Sequence, residues 1–144
     1  MGAATSVHTV LNLDVPAEGG GRLAGLMGFC GRCPFAGRGL EGMRGVLGLG
    51  GVPVDDGVLR RTPVLLEHNV DDPLVKIENG RGLRDTLVGF GMQVEWREYP
   101  EGGHWFQEPQ GIEDAVAFLR KVVAETGSAK PSRAAGDGEA MELD

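Results

Sequence analysis

The stretch TPVLLEHNVDDPLVK, residues 62–76, joins a short apolar run to a turn that carries two adjacent carboxylates. Residues 62–67 are mostly apolar, contain Pro63 and precede a cluster of Asn and Asp, a pattern that predicts a buried strand. Asp71 and Asp72 follow where that strand should end. Because functional groups collect at the carboxyl ends of strands in open α/β sheets, these acids are candidates for a functional site. An ordinary turn-forming role is the alternative for Asp72.

Strands and helices alternate along the chain around this stretch. Apolar residues at helical spacing predict three helices, and short apolar or alternating runs predict three strands. In chain order, the predicted elements cover residues 3–13, 23–29, 62–67, 76–90, 93–99 and 112–124. The shared apolar face of the last predicted helix consists of Ile112, Val116, Leu119 and Val123. Strands that alternate with helices imply a parallel sheet flanked by helices, so the predicted fold class is α/β.

The remaining segments are irregular in sequence. Residues 30–61 are rich in Gly and predict one long loop without regular structure. Residues 127–144 are small and polar, which predicts a disordered tail. With 144 residues in all, the chain is long enough for one domain, which we place at residues 1–126.

Charge and cysteine content exclude several classes of function. A net charge of −7 and a pI near 4.9 argue against nucleic acid as a partner, because a phosphate backbone requires a basic surface. No apolar run approaches the length of a membrane span, so we expect no stable membrane insertion. Cys30 and Cys33 are too few for the disulfide framework of a small secreted protein, which predicts a cytoplasmic location.

A histidine follows the next predicted strand, in the loop EYPEGGHWF at residues 98–106. His104 lies 104 − 72 = 32 residues after Asp72, which leaves room for one helix and one strand. An acid followed by a histidine is the back half of the Ser, Asp, His order of α/β-hydrolases. In such a triad the histidine takes the proton of the nucleophile, and the acid orients the ring and stabilises the imidazolium. Asp71 is expected to be a solvated neighbour.

The stretch HNVDDPLV, residues 68–75, resembles a motif of the phospholipase/carboxylesterase family, which includes the acyl-protein thioesterases. That motif is H-G-x-x-D-x-x-V, and its D is the acid of the triad. Aligned with it, Asp72 takes the acid position and Asn69 replaces the Gly. The resemblance covers roughly residues 1–124 and implies the C-terminal part of an α/β-hydrolase fold.

Two further motifs carry the same resemblance. The family's G-H motif falls on Gly103 and His104. LMGFCGRCPF, residues 26–35, is similar to the family's strand ending in L-S-x-x-x-P-F, with Cys30 at the Ser position and Pro34 at the Pro position.

The stretch MGAATSVHTVLNL, residues 1–13, resembles the helix that follows the nucleophile in this family. The family carries its serine in G-x-S-x-G, and Met1 and Gly2 match the last two positions of that motif. The resemblance therefore places the serine just before Met1. It also places Met1 at the residue whose backbone N–H helps to bind the oxyanion. We expect this chain to lack the N-terminal strands and the nucleophile.

The resemblance implies an enzyme that hydrolyses carboxylic esters or acyl thioesters, with Asp72 and His104 as catalytic residues and with no metal or organic cofactor. The implied substrate carries its acyl group on a lipid, a protein or a small molecule. Because loss of the nucleophile removes most of the chemistry of a triad, we expect little or no hydrolysis from this chain alone.

Other classes of function compete with hydrolysis. CGRC, residues 30–33, is a CxxC pattern typical of thiol–disulfide oxidoreductases, although the many Gly residues in 36–51 disfavour the long helix that should follow it. A single CxxC cannot complete a tetrahedral zinc site. A thiol could also act as nucleophile with His104. The remaining alternative is a non-enzymatic fragment or interaction module, since a sheet without its central strands exposes an apolar edge.

Overall fold

The computed structural model describes residues 1–128 of the chain. The helices are α1 (Gly2–Asn12), α2 (Gly39–Gly45), α3 (Gly57–Arg61), α4 (Ile77–Gly89) and α5 (Gln110–Ser128), with a short 3₁₀ turn at Ala17–Gly19. The strands are β1 (Leu26–Phe29), β2 (Pro63–Asn69) and β3 (Gln93–Tyr99). Within this range, none of the helices is both long enough and apolar enough to cross a bilayer.

The three strands form one parallel sheet in the order β1-β2-β3. Leu26 of β1 is aligned with Val64 of β2, and Asn69 at the end of β2 is aligned with Tyr99 at the end of β3. After its first residue β2 is buried throughout, as is typical of a parallel strand covered on both faces. The predicted α/β class is therefore confirmed, and the central strand extends two residues beyond the predicted 62–67.

Apolar side chains pack on both faces of the sheet. Successive residues of a strand point to opposite faces, so β2 serves both clusters. The larger cluster, over which α1 and α4 pack, includes Val7, Leu11, Met43, Leu59, Val64, Leu66, Leu83 and Leu87. On the other face, Phe118 and Val122 of α5 pack against Leu65. By the same alternation, the side chains of Glu67 and Asn69 point to the face of the sheet that α5 covers.

The prediction of one irregular loop over residues 30–61 is wrong. Two short helices, α2 and α3, lie in this segment, and both contact α1. Met43 of α2 and Leu59 of α3 are fully buried. Their burial stabilises helical turns that a Gly-rich sequence disfavours on propensity alone. The first strand also differs from the prediction, because it begins at Leu26 and not at residue 23.

The apolar face predicted for the last helix is not the face that α5 buries. Phe118 and Val122 are buried against the sheet. The predicted face is partly exposed along its whole length, at Ile112, Val116, Leu119 and Val123. Apolar residues occupy more than one face of α5. Only the face that packs against the sheet is buried.

Helix α5 is also longer than the predicted 112–124. It begins at Gln110 and ends at Ser128, so it overlaps the predicted tail by two residues. The rest of that predicted tail, residues 129–144, lies outside the described residues.

Gly80 lies where α4 packs against β2. A methyl group at this position would clash with the buried ring of His68. We therefore expect Gly80→Ala to lower the free energy of unfolding by about 1–3 kcal/mol, the usual effect of overpacking. Gly82 on the same helix has open space around it, so Gly82→Ala should raise that free energy by up to about 1 kcal/mol through helix propensity. Urea unfolding measures the free energy of unfolding of both variants. Equal stabilisation by Gly80→Ala and Gly82→Ala would contradict the packing of α4 against His68.

Candidate active site

Polar side chains meet at the carboxyl ends of the three strands. Cys30 directly follows β1, Asn69 is the last residue of β2, and Asp72 lies in the turn after it. His104 lies in the loop that follows β3. Because the strands are parallel, these distant parts of the sequence reach the same end of the sheet.

Asp72 and His104 form a hydrogen-bonded pair. The Nδ1–H of His104 donates to Oδ2 of Asp72 at 2.8 Å. The Asp72 side chain has no exposed surface, whereas the His104 side chain is 37% exposed. The carboxylate therefore fixes the tautomer with the proton on Nδ1 and leaves Nε2 as the accepting nitrogen of a solvent-accessible ring. The structure thus brings together the two residues that the sequence predicts as acid and base.

The surroundings of Asp72 favour its ionised form. Oδ1 accepts hydrogen bonds from the backbone N–H groups of Leu74, at 2.8 Å, and Val75, at 2.9 Å. Burial raises the pKa of Asp72, but the N–H groups and His104 together outweigh burial, so the pKa lies below its ordinary value. A carboxylate that stays ionised can orient and stabilise a protonated imidazole.

The other two histidines hold backbone segments. The Nε2–H of His68 donates to the carbonyl oxygen of Val75 at 2.7 Å, and this nitrogen lies 3.5 Å from Oδ2 of Asp72. His68 therefore ties the turn after β2 to the end of that strand. Nε2 of His8 lies 3.3 Å from the carbonyl oxygen of Pro34. Both histidines thus bond to backbone carbonyl groups.

Asn69 and Asp71, for which the sequence predicts no role in the site, both contact the loop carrying His104. Nδ2 of Asn69 donates to the carbonyl oxygens of Gly103 and Trp105, at 2.9 and 2.8 Å. Oδ1 of Asp71 accepts from the N–H of Gly103 at 2.9 Å, so this exposed acid is more than the solvated neighbour we expected. The sequence offered one signal for the role of Asn69, because the resembled motif has a Gly at this position.

A cavity of about 600 Å³ opens beside His104. Residues from the start of α1, from β1 and from the loop after β3 form its walls, among them Met1, Ala3, Phe29, Cys30, Trp105 and Phe106. Met1, which the resemblance places at the oxyanion position, is the N-cap of α1, where the first N–H groups have no partner within the helix. Apolar side chains therefore form much of the wall beside His104.

The fold is shared with several solved structures. Zea mays acyl-protein thioesterase 2 superposes with a TM-score of 0.66 at 24% identity, over 85% of this chain and 53% of that one. Arabidopsis thaliana SOBER1 gives a TM-score of 0.59 at 19% identity, over 85% and 49%. Esterase PE8 gives 0.63 at 23% identity, over 84% and 46%. The chain therefore spans about half the length of the solved structures it matches.

One curated relative is similar in sequence over part of the chain. Over 62 residues, which are 43% of this chain and 26% of the relative, the chain is 40% identical to acyl-protein thioesterase 1 of Gibberella zeae. Over these residues the chain is similar in sequence to an acyl-protein thioesterase. No protein-family model matches the chain. The resemblance and the fold class predicted from the sequence are both confirmed.

Cys30 and Cys33 are both free thiols. Burial raises the pKa of Cys30, and the negative charge of Asp72 raises it further. Burial alone raises the pKa of Cys33. A reactive or redox-active thiol needs a lowered pKa, so these surroundings favour neither the predicted redox alternative nor a cysteine nucleophile.

Cys30, His68 and Asp72 are buried and bring possible metal-ligand atoms within 4.8 Å of one another. Nε2 of His68 already donates to Val75, and Asp72 already accepts from His104. A cation at this point would compete with both hydrogen bonds. The donor set therefore does not fit a resident metal beside the intact Asp72–His104 pair.

Proposed function

We propose that this chain carries the acid and the general base of an enzyme that hydrolyses acyl esters or thioesters. The observation that carries the proposal is the 2.8 Å hydrogen bond from Nδ1 of His104 to the buried carboxylate of Asp72. Asp72 keeps the proton of the neutral ring on Nδ1. Nε2 then takes the proton of the nucleophile and delivers it to the leaving group.

The cavity beside His104 supports an acyl group as the part of the substrate that is bound. Phe29 and Phe106 pack edge to face with ring centroids 4.6 Å apart, and Trp105 lies against Phe106. These rings offer apolar surface to a hydrocarbon chain. The Gibberella zeae relative is named as an acyl-protein thioesterase, which also supports an acylated substrate.

The proposed nucleophile is a serine in a G-x-S segment that precedes Met1. Among residues 1–128, Ser6 and Cys30 are the hydroxyl and thiol groups that line the cavity. Ser6 lies inside α1, where no sharp turn exposes its hydroxyl. The raised pKa of Cys30 disfavours its thiolate. We therefore propose that the 144-residue chain alone hydrolyses esters at close to the background rate.

Joining a strand and a G-x-S segment of the kind expected in the resembled family to Met1 tests this proposal. We expect the extended polypeptide to hydrolyse p-nitrophenyl butyrate and a palmitoyl thioester at least roughly 10³-fold faster than the 144-residue chain, because it completes the triad. A fluorophosphonate probe should label the added serine. His104→Gln should return the rate to background, since it removes the base.

His8→Gln is the matched control, because His8 bonds to Pro34 and not to Asp72. This variant should retain the activity of the extended polypeptide. Full activity after His104→Gln would show that the base is assigned wrongly. Efficient, His104-dependent hydrolysis by the 144-residue chain would show that the nucleophile is assigned wrongly.

A cytoplasmic location is part of the proposal. Cys30 and Cys33 are both free thiols, as expected in a reducing compartment. Fractionation of cells that express the chain, followed by a thiol-labelling assay, tests this location.

A further inference from the structure

The loop that carries His104 contains the residues with the greatest backbone freedom in the site. Gly102 and Gly103 directly precede His104, with φ values of +148° and +64°. Gly reaches such values readily, but it also has the most conformational entropy to lose on folding. This loop therefore needs contacts from the rest of the structure to hold His104 in one position.

Asn69 supplies two such contacts from the end of β2. Its Nδ2 donates to the carbonyl oxygens of Gly103 and Trp105, the residues on either side of His104, at 2.9 and 2.8 Å. Two carbonyl acceptors can be served by the nitrogen of the amide and not by its oxygen, which fixes the orientation of the group. Asn69 is 1% exposed, so water cannot readily replace these bonds.

Neither of the neighbouring residues, Cys30 and Gly102, can replace the hydrogen bonds of Asn69. Cys30 Sγ also approaches the same two carbonyl oxygens, but at 3.8 and 3.6 Å, and a thiol is a weak donor. A Cβ atom at Gly102 would lie 2.5 Å from Nδ2 of Asn69, so the glycine leaves the space that the amide fills. Asn69 and Gly102 are thus matched to each other.

We infer that Asn69 is a positioning residue for His104. Its amide holds the two peptide carbonyls that flank His104, and this keeps the imidazole within reach of Asp72. Oδ1 of Asp71 also accepts the N–H of Gly103 at 2.9 Å, a bond that an amide oxygen at this position would keep. The inference rests on the proposed function, in which His104 is the base. In the resembled motif this position is a Gly, so the contact depends on the side chain of this chain and not on the motif.

Hydrogen exchange of the His104 Nδ1 proton tests the inference on the 144-residue chain, labelled with isotopic histidine and observed by NMR. Asn69→Ala should speed this exchange roughly ten-fold or more, because two buried hydrogen bonds are lost. Gly102→Ala should have a similar effect from the other side, since its methyl group displaces the amide. Asn12→Ala is the matched control, because Asn12 donates to a backbone carbonyl of α1, that of His8, away from the site.

The Nε2 proton of His68, which bonds to Val75, reports whether the end of β2 is still folded in each variant. The inference predicts that the exchange of the His104 proton changes while that of His68 stays within roughly two-fold. If His104 exchange is unchanged in both Asn69→Ala and Gly102→Ala, Asn69 is not a positioning residue. If the unmodified chain lacks a protected Nδ1 proton on His104, the Asp72–His104 pair and the proposed function fail instead.

Discussion

Asp72→Asn is expected to lower kcat by roughly 10⁴-fold in a polypeptide that joins this chain to a nucleophilic serine. The Oδ1 of the new side chain can still accept the N–H groups of Leu74 and Val75, so its amide nitrogen takes the place of Oδ2 beside His104. A donor at that place forces the ring into the tautomer with its proton on Nε2. That tautomer cannot accept the proton of the nucleophile. Steady-state kinetics give kcat, and imidazole nitrogen shifts give the tautomer.

Asp71→Asn is the matched control for this substitution. Asp71 is the adjacent acid, it is exposed, and its Oδ1 accepts the N–H of Gly103, which an amide oxygen can also do. We expect kcat to remain close to that of the unmodified polypeptide, with the tautomer of His104 unchanged. Equal losses for the two substitutions would mean that the orienting acid has been assigned to the wrong carboxylate.

The central part of the fold was predictable because its signals are local. An apolar run bounded by turn residues identified β2, and alternation identified β3. The helices α2 and α3 were missed because Gly-rich segments carry a weak helical signal, and burial of Met43 and Leu59 against α1 stabilises them. The buried face of α5 was missed because its sequence has several apolar stripes, and only the position of the sheet selects Phe118 and Val122.

The candidate site was predictable only in part, for a related reason. The order of strands places Asp72 and His104 at the same end of a parallel sheet, so their pairing follows from topology and motif spacing. The contacts of Asn69 and Asp71 join a side chain to a backbone group more than 30 residues away. Such bonds leave no periodic pattern in the sequence, and they depend on the path of a loop with two glycines.

Glu67 is a second buried acid close to this site, on the face of β2 that α5 covers. It is 4% exposed, and its Oε1 has no hydrogen-bond partner within residues 1–128. Asp114 of α5 and Tyr99 and Arg97 of β3 face it, and the hydroxyl of Tyr99 donates to Asp114. Burial raises the pKa of Glu67 to about 7, and the charge of Asp114 adds to this effect.

Glu67→Gln is expected to raise the free energy of unfolding by about 3 kcal/mol above pH 7, and by almost nothing near pH 4. The folded pKa of about 7 lies above the ordinary value of 4.5, so the folded state holds this proton more tightly than the unfolded state. The unmodified protein therefore loses stability as the pH rises from about 4.5 to about 7, whereas the Gln variant, which cannot ionise, avoids that loss. Urea unfolding at a series of pH values measures the difference.

Glu98→Gln provides the control, because the pKa of Glu98 is shifted in the opposite direction to that of Glu67. The hydrogen bond from Arg81 lowers the pKa of Glu98 to about 2, so above about pH 5 this carboxyl is ionised in both the folded and the unfolded state. Its removal should therefore lower stability modestly, by an amount that does not vary between about pH 5 and 8, since its ion pair with Arg81 is partly exposed. If the effect of Glu67→Gln is equally independent of pH, Glu67 is ionised in the folded protein and the uncharged state inferred from its burial is wrong.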